Sequence, residues 1–183
     1  MKEEIIIAGF GGQGVLSMGK ILAYSGVMQG QEVCWLPSYG PEMRGGTANV
    51  TVILSNEPIS SPVLHEFDTA IILNQQSMDK FAPMVKIGGT LIYDPNGIVN
   101  PPKRTDINIY TVAAAQDAAA AGNSKVFNMI VLGAYLNIKP LVTIENVVEG
   151  LRKSLPERAH KMIPANQAAI LRGMELVQQV QVI

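Results

Sequence analysis

Cysteine is almost missing from this chain of 183 residues: Cys34 is the only one, and His65 and His160 are its only histidines. An iron–sulfur cluster held by the chain alone would need about four thiolates, and a structural zinc site needs Cys and His at close spacing. Neither set is present, so no metal site is expected. A single cysteine forms no internal disulfide, and on the apolar run 32–36 it reads as a small buried hydrophobe. The two histidines stand far apart with no thiol nearby and read as surface or loop residues.

Charge is scarce as well. Charged residues make up 16% of the chain, with 14 Lys and Arg against 15 Asp and Glu, for a formal net charge of −1. The cations are scattered and form no basic stripe, which removes nucleic acid and anionic membrane surfaces from the expected partners. The apolar runs have the length of strands or short helices, well under the roughly 20 residues that span a bilayer. The start Met1-Lys2-Glu3-Glu4 leads directly into a strand-like run and is not the pattern of a signal peptide. With the lone cysteine, these features predict a cytoplasmic protein. This length suits one domain with a core of its own.

What is present begins with glycine. The apolar run Ile5-Ile6-Ile7-Ala8 reads as a strand buried on both faces, and it passes into Gly9-Phe10-Gly11-Gly12-Gln13-Gly14, a complete G-x-G-x-x-G. Residues 15–29 follow with a helical pattern. In that order the glycines permit a tight turn and let a ligand approach the helix N-terminus, where free amides and the helix dipole favour an anion. Gly9, Gly11, Gly12, Gln13 and Gly14 are therefore the candidate anion-binding residues. The other reading of the same loop is a tight turn that only packs the helix on the sheet. A nicotinamide dinucleotide would also need an acid at the end of the second strand to hold the ribose. That strand, 32–36, runs instead into Pro37-Ser38-Tyr39, and Glu32 stands at its wrong end.

The loop that replaces the acid is the most specific segment of the chain. Ser38 to Gly46 reads S-Y-G-P-E-M-R-G-G, placing a Tyr, a Glu and an Arg among turn formers, where a plain solvent turn needs only small polar residues. Arg44 offers a guanidinium fork that pairs bidentately with a carboxylate or phosphate, and Glu42 is its natural companion.

Further along, buried strands are predicted at 48–54, 68–74, 90–93 and 107–112, and a helix at 75–86 interrupted by Pro83. Asp94 precedes Pro95-Asn96-Gly97 and reads as turn chemistry. Beyond an alanine-rich segment at 113–121, helices are predicted at 125–137, at 144–154 with Thr143 as its N-terminal cap, and at 165–181. The expected fold is α/β: a single three-layer Rossmann-like domain with a mostly parallel sheet, an α/β core over 1–122 and a helical C-terminal extension over 123–183. Two helices look too apolar for a lone domain. From Ile5 to Gln31 the only charge is Lys20, and from Val126 to Ile138 there is none. Their cover is expected from another polypeptide, the alternative being the chain's own C-terminal helices.

Four segments carry a family resemblance: I-I-I-A-G-F-G-G-Q-G-V at the start, S-Y-G-P-E-M-R-G-G with A-N-V-T-V behind it, F-D-T-A-I-I-L-N, and F-N-M-I-V-L-G-A with Asn128. Together they resemble the gamma subunit of the 2-oxoacid:ferredoxin oxidoreductases over nearly the whole chain. The resemblance implies oxidative decarboxylation of a 2-oxoacid to an acyl-coenzyme A, with thiamine diphosphate as carbanion stabiliser and iron–sulfur clusters passing electrons to ferredoxin. It implies thiamine-binding alpha and beta subunits with magnesium, a ferredoxin-like delta subunit carrying clusters, and no catalytic residue or cofactor held by this chain alone. On that basis the Gly-rich loop is expected to meet a phosphate of coenzyme A, and Tyr39, Glu42, Arg44, Gly45 and Gly46 a partner chain near the active centre. Asn128 is expected to support that loop from the helix behind. The small subunit of an indolepyruvate:ferredoxin oxidoreductase and a stand-alone nucleotide-binding module remain as alternatives, and 2-oxoglutarate is the expected 2-oxoacid.

Overall fold

The computed structural model describes residues 1–39 and 46–180. Among them seven strands form one sheet: β1 (Lys2–Phe10), β2 (Glu32–Tyr39), β3 (Thr47–Ser55), β4 (Phe67–Ile72), β5 (Val85–Tyr93), β6 (Asn108–Thr111) and β7 (Gln178–Val180). Among the described residues six α-helices accompany them: α1 (Val15–Met28), α2 (Gln75–Phe81), α3 (Ala114–Ala120), α4 (Phe127–Ile138), α5 (Ile144–Ser154) and α6 (Ile163–Leu176). The strand order is β2-β3-β1-β4-β5-β6-β7. β1, β4, β5 and β6 run parallel, while β3 is antiparallel to both β1 and β2, and β7 is antiparallel to β6. Among the described strands, all but β3 and β7 therefore point the same way, and the sheet is mostly parallel as expected.

The alternation of side chains along each strand divides the core in two. Ile5, Ile7, Val50, Val52 and Leu54 face a layer built from α1 and α3 to α6. Ile6, Ala8, Ala70, Ile72 and Leu91 face a thinner layer with Met78 and Phe81 of α2. β1 is buried on both faces, which is why it reads as a continuous apolar run.

Several expectations need correction. The cover of the two apolar helices comes from the chain itself. α5 lies on α1, so close that a Cβ on Gly150 would stand 2.9 Å from the carbonyl of Ile21, and α6 crosses α4. In α4 every residue from Met129 to Leu136 is buried. The segment after 122 is thus helical, but it forms the main layer over the sheet and shares its core with residues 1–122. The last helix stops at Leu176, and the chain then returns to the sheet as β7, where Tyr110 pairs with Gln179. The helix 75–86 stops earlier too: a single 3-10 turn follows Phe81, and Val85 and Lys86 already belong to β5. Pro83 ends α2 rather than kinking it. Cys34 lies half-buried on the edge strand, not in the core, and partial burial raises the pKa of its thiol above the usual range.

Thr143 caps α5 as expected, its hydroxyl accepting from the Asn146 amide at 3.3 Å. Asp94 serves its turn, accepting from Asn96 N at 2.8 Å, and its second oxygen accepts from Ala115 N at 2.7 Å, tying the end of β5 to the start of α3. His65 is exposed in a loop, while His160 is half-buried and its ring nitrogen meets the carbonyl oxygens of Arg152 and Leu155.

Candidate functional site

β1 delivers Gly9 to the carboxyl edge of the sheet, and the loop that follows is held by its own glutamine. The Oε1 of Gln13 accepts from Phe10 N at 2.6 Å, and its Nε2 donates to the carbonyl of Leu73 at 3.1 Å, bracing the loop against the end of β4. Gly9 leaves room for this: a Cβ there would come within 2.5 Å of the Gln13 oxygen. Both polar atoms of Gln13 are engaged, so its side chain positions the loop.

Gly12 and Gly14 have φ of 101° and 75°, the left-handed region that glycine enters without strain. Gly14 is also the residue before α1, and its carbonyl accepts both the first helical bond, from Met18 N at 2.9 Å, and the Nδ2 of Asn128 at 3.3 Å. Asn128 comes from α4, and its bond goes to the Gly-rich loop. α1 begins with no side-chain cap and no acid in its first turn. Its leading amides and the positive end of its dipole are therefore not neutralised by the helix's own first turn.

The second motif joins the first at its far end: Gly11 N donates to the carbonyl of Gly46 at 2.8 Å. Glu42, Arg44 and Gly45 lie outside the described residues, as does the side chain of Tyr39. Pro37 and Thr47, on either side of the motif, contribute to a groove of about 680 Å³ shared with Gly11, Gly12, Gly14 and Trp35. Trp35 is a lining residue that the sequence reading misses. Its signal is that the only tryptophan in the chain stands two residues before Pro37 and alternates with it on one face of β2.

Topology explains the location. β1 leads into α1 on one face of the sheet, and its parallel neighbour β4 leads into α2 on the other. In an open α/β sheet, ligands bind where successive crossovers diverge in this way, outside the carboxyl ends of the strands. In contrast to a dinucleotide-binding fold, β2 is not the neighbour of β1, because β3 lies between them. The end of β2 is thus displaced from the position at which a ribose-binding acid would act. Among the described residues, no three of His, Cys, Asp or Glu gather as a metal site, and no helix is long and apolar enough to cross a membrane.

Known proteins share both sequence and fold with this chain. The family described as pyruvate ferredoxin/flavodoxin oxidoreductase matches residues 4–176. Ketoisovalerate oxidoreductase subunit VorA of Methanothermobacter marburgensis is 39% identical over 133 residues, 73% of this chain and 28% of VorA; the chain thus spans little more than a quarter of that relative. The 2-oxoglutarate synthase subunit KorC of Methanocaldococcus jannaschii is 30% identical over 183 residues, 98% of this chain and 96% of KorC. The crystal structure of a keto/oxoacid ferredoxin oxidoreductase gamma subunit from Geobacter sulfurreducens PCA superposes with a TM-score of 0.81 at 26% identity, covering 96% of each chain. The chain belongs to the pyruvate ferredoxin/flavodoxin oxidoreductase family, as one of its gamma-type chains.

Proposed function

We propose that this chain is the gamma subunit of a multi-subunit 2-oxoacid:ferredoxin oxidoreductase of the cytoplasm, contributing assembly and a binding site for an anionic part of coenzyme A. The single observation that carries this reading is the joined pair of loops at the divergence of β1 and β4. There Gly11 bonds to Gly46 beside the start of a helix that has no side-chain cap and no acid in its first turn. The 2-oxoacid stays at the level of its class, because KorC is named for 2-oxoglutarate and VorA for ketoisovalerate. The residues here do not fit an iron–sulfur cluster, with one cysteine in the whole chain, and among the described residues no three of His, Cys, Asp or Glu gather to hold the magnesium of a thiamine cofactor. Those groups belong to alpha, beta and delta partners in this reading, and ferredoxin takes the electrons from the complex.

The test is reconstitution. The complex assembled with this chain should reduce a viologen dye with 2-oxoacid and coenzyme A, the complex lacking it should not, and the chain alone should show neither turnover nor iron–sulfur absorbance. Turnover by the chain alone, or full activity without it, would reject the proposal.

A further inference from the structure

A separate small cavity lies on the face of the sheet that α2 covers, between that helix and the start of β3. It measures about 50 Å³, and Thr47, Asn49, Gln76, Ser77, Lys80 and Phe81 line it. No residue of the Gly-rich loop reaches it. Its walls follow from the periods of the two elements. Gln76 with Lys80, and Ser77 with Phe81, are four positions apart and so share one face of α2, while Thr47 and Asn49 fall on one face of β3. Ser77 and Phe81 are buried at the floor, Asn49 is half-buried, and Thr47, Gln76 and Lys80 are exposed at the rim.

The polar groups around this cavity are unspent. Among the described residues, the side chains of Thr47, Asn49, Gln76, Ser77 and Lys80 make no hydrogen bond or ion pair within the chain; the ammonium of Lys80 only stands over its neighbour Phe81, 5.0 Å from the ring centroid. Gln75, one position outside the cavity, is the contrast. Its Nε2 donates to Asp79 at 2.7 Å and its Oε1 accepts from the amides of Val99 and Asn100. That pairing turns Asp79 to the exposed side of α2, and no acid lines the cavity.

We propose that this cavity binds a carboxylate group, with Lys80 as its counter-charge and Asn49, Gln76 and Ser77 as its hydrogen-bond donors. An ammonium, two side-chain amides and a hydroxyl can all donate, and an ionised carboxylate only accepts. A cation is excluded because no carboxylate faces it. The single positive charge matches a monoanion, and the volume holds a group of a few heavy atoms, with the remainder of its molecule outside. Such a carboxylate comes either from a small organic acid or from an Asp or Glu of a second chain, since both present the same two oxygens.

The test is a titration of the full 183-residue chain with sodium acetate, followed by amide NMR against sodium chloride at equal ionic strength. The backbone and side-chain amide signals of Asn49 and Gln76 and the backbone signal of Ser77 should shift and saturate with acetate alone. In Lys80→Met and in Asn49→Ala saturation should require about tenfold more acetate, the scale of one lost hydrogen bond to a charged group. Lys80 is exposed, so its variant should melt as wild type does. Equal shifts with chloride, or acetate binding that both substitutions leave unchanged, would overturn the proposal. The titration uses the chain alone, so its failure would leave the subunit reading intact. In the reconstituted complex the two sources separate. A carboxylate from a partner chain predicts that acetate no longer binds the complex and that Lys80→Met weakens association about tenfold. A small acid predicts that acetate still binds and that association is unchanged, and either pattern supports the site.

Discussion

Asn128 and Gly14 are 114 positions apart in the chain, and the Nδ2 of Asn128 donates to the carbonyl of Gly14 at 3.3 Å. The contact exists because Gly14 has no side chain: a Cβ would stand 2.4 Å from that nitrogen. Gly14→Ala should therefore carry two penalties, about 1–2 kcal/mol for an L-residue in the left-handed region and about 1 kcal/mol for the displaced hydrogen bond. Asn128→Ala should carry only the second. Thermal melting of the two single variants and the double variant checks this. The double variant should be less destabilised than the sum of the singles, since both touch one contact, and strict additivity would show that Asn128 does not bear on Gly14.

Gln13 provides a second test of the same loop. Gln13→Glu keeps the acceptor for Phe10 N but loses the donor to Leu73 O, placing a carboxylate beside a carbonyl. The expected cost is about 1–3 kcal/mol, read as a lower urea midpoint with an unchanged slope. A variant as stable as wild type would mean that the brace to β4 does not hold the loop.

The strand, Gly-rich loop and helix order is legible because each step has a local cause: a β1 run apolar on both faces, glycines where φ is positive, and the helical pattern of α1. Thr143 is legible for the same reason, since a cap is decided within a few residues. What the sequence does not disclose is non-local. Nothing near Ala48 indicates that β3 pairs antiparallel between β1 and β2, and nothing near Gly133 indicates that α6 will cross it. The apolar surfaces of α1 and α4 read as an interface with another chain because their partners in this chain lie far along the sequence. Similarly, Gly11 and Gly46 belong to two separate motifs, and only the pairing of Phe10 with Thr47 brings them together.

The crossing of α4 and α6 makes its own prediction. A Cβ on Gly133 would lie 1.9 Å from the carbonyl oxygen of Ile170, and one on Gly173 would lie 1.8 Å from that of Ile130. In both cases the obstacle is backbone, which cannot rotate away as a side chain can. Either alanine substitution should cost at least the upper part of the roughly 1–3 kcal/mol usual for overpacking. Circular dichroism melts check it. A Gly173→Ala variant that melts within a degree of wild type would contradict the close crossing.

Acid and base should destabilise the protein through one ion cluster at the opposite edge of the sheet. Lys86 Nζ bonds to Glu4 at 2.6 Å and to Asp68 at 2.7 Å. Burial opposes the charge on Glu4, but its hydrogen bonds to Lys2 and Lys86 and their charges outweigh burial and hold its pKa below the ordinary 4.5. Burial likewise opposes the charge on Lys86, and the bonds to Asp68 and Glu4 outweigh it, raising that pKa above 10.5. A lowered carboxylate stabilises the fold above its unfolded pKa and loses that contribution as pH falls through its folded value; a raised ammonium does so below its unfolded pKa and loses it as pH rises through its folded value. Stability from this cluster should thus form a plateau that falls below the carboxylate range and again beyond the ordinary lysine range. Urea denaturation from about pH 3 to about pH 11 should show both limbs in wild type. Lys86→Met should flatten them, and unchanged limbs would assign the pH dependence to other groups.

Arg44 tests the second motif as a functional loop. It sits two residues before Gly46, whose carbonyl is fixed to Gly11, so the motif is anchored beside the groove at that end. If its guanidinium pairs with an anionic group of coenzyme A or of a partner subunit, Arg44→Ala should change the stability of the lone chain by no more than about 0.5 kcal/mol, as at ordinary surface sites. In the reconstituted complex the lost contact should cost about 2–5 kcal/mol in binding or catalysis. Arg44→Lys should restore only part of it, because an ammonium cannot reproduce the two-pronged geometry of the guanidinium. The measurement is paired: melting of the lone variant, and coenzyme A-dependent turnover with partner association in the complex. A variant that melts many degrees lower, with its activity loss matching the unfolded fraction, would make Arg44 a structural residue and leave the Gly-rich loop as the only functional part of the site.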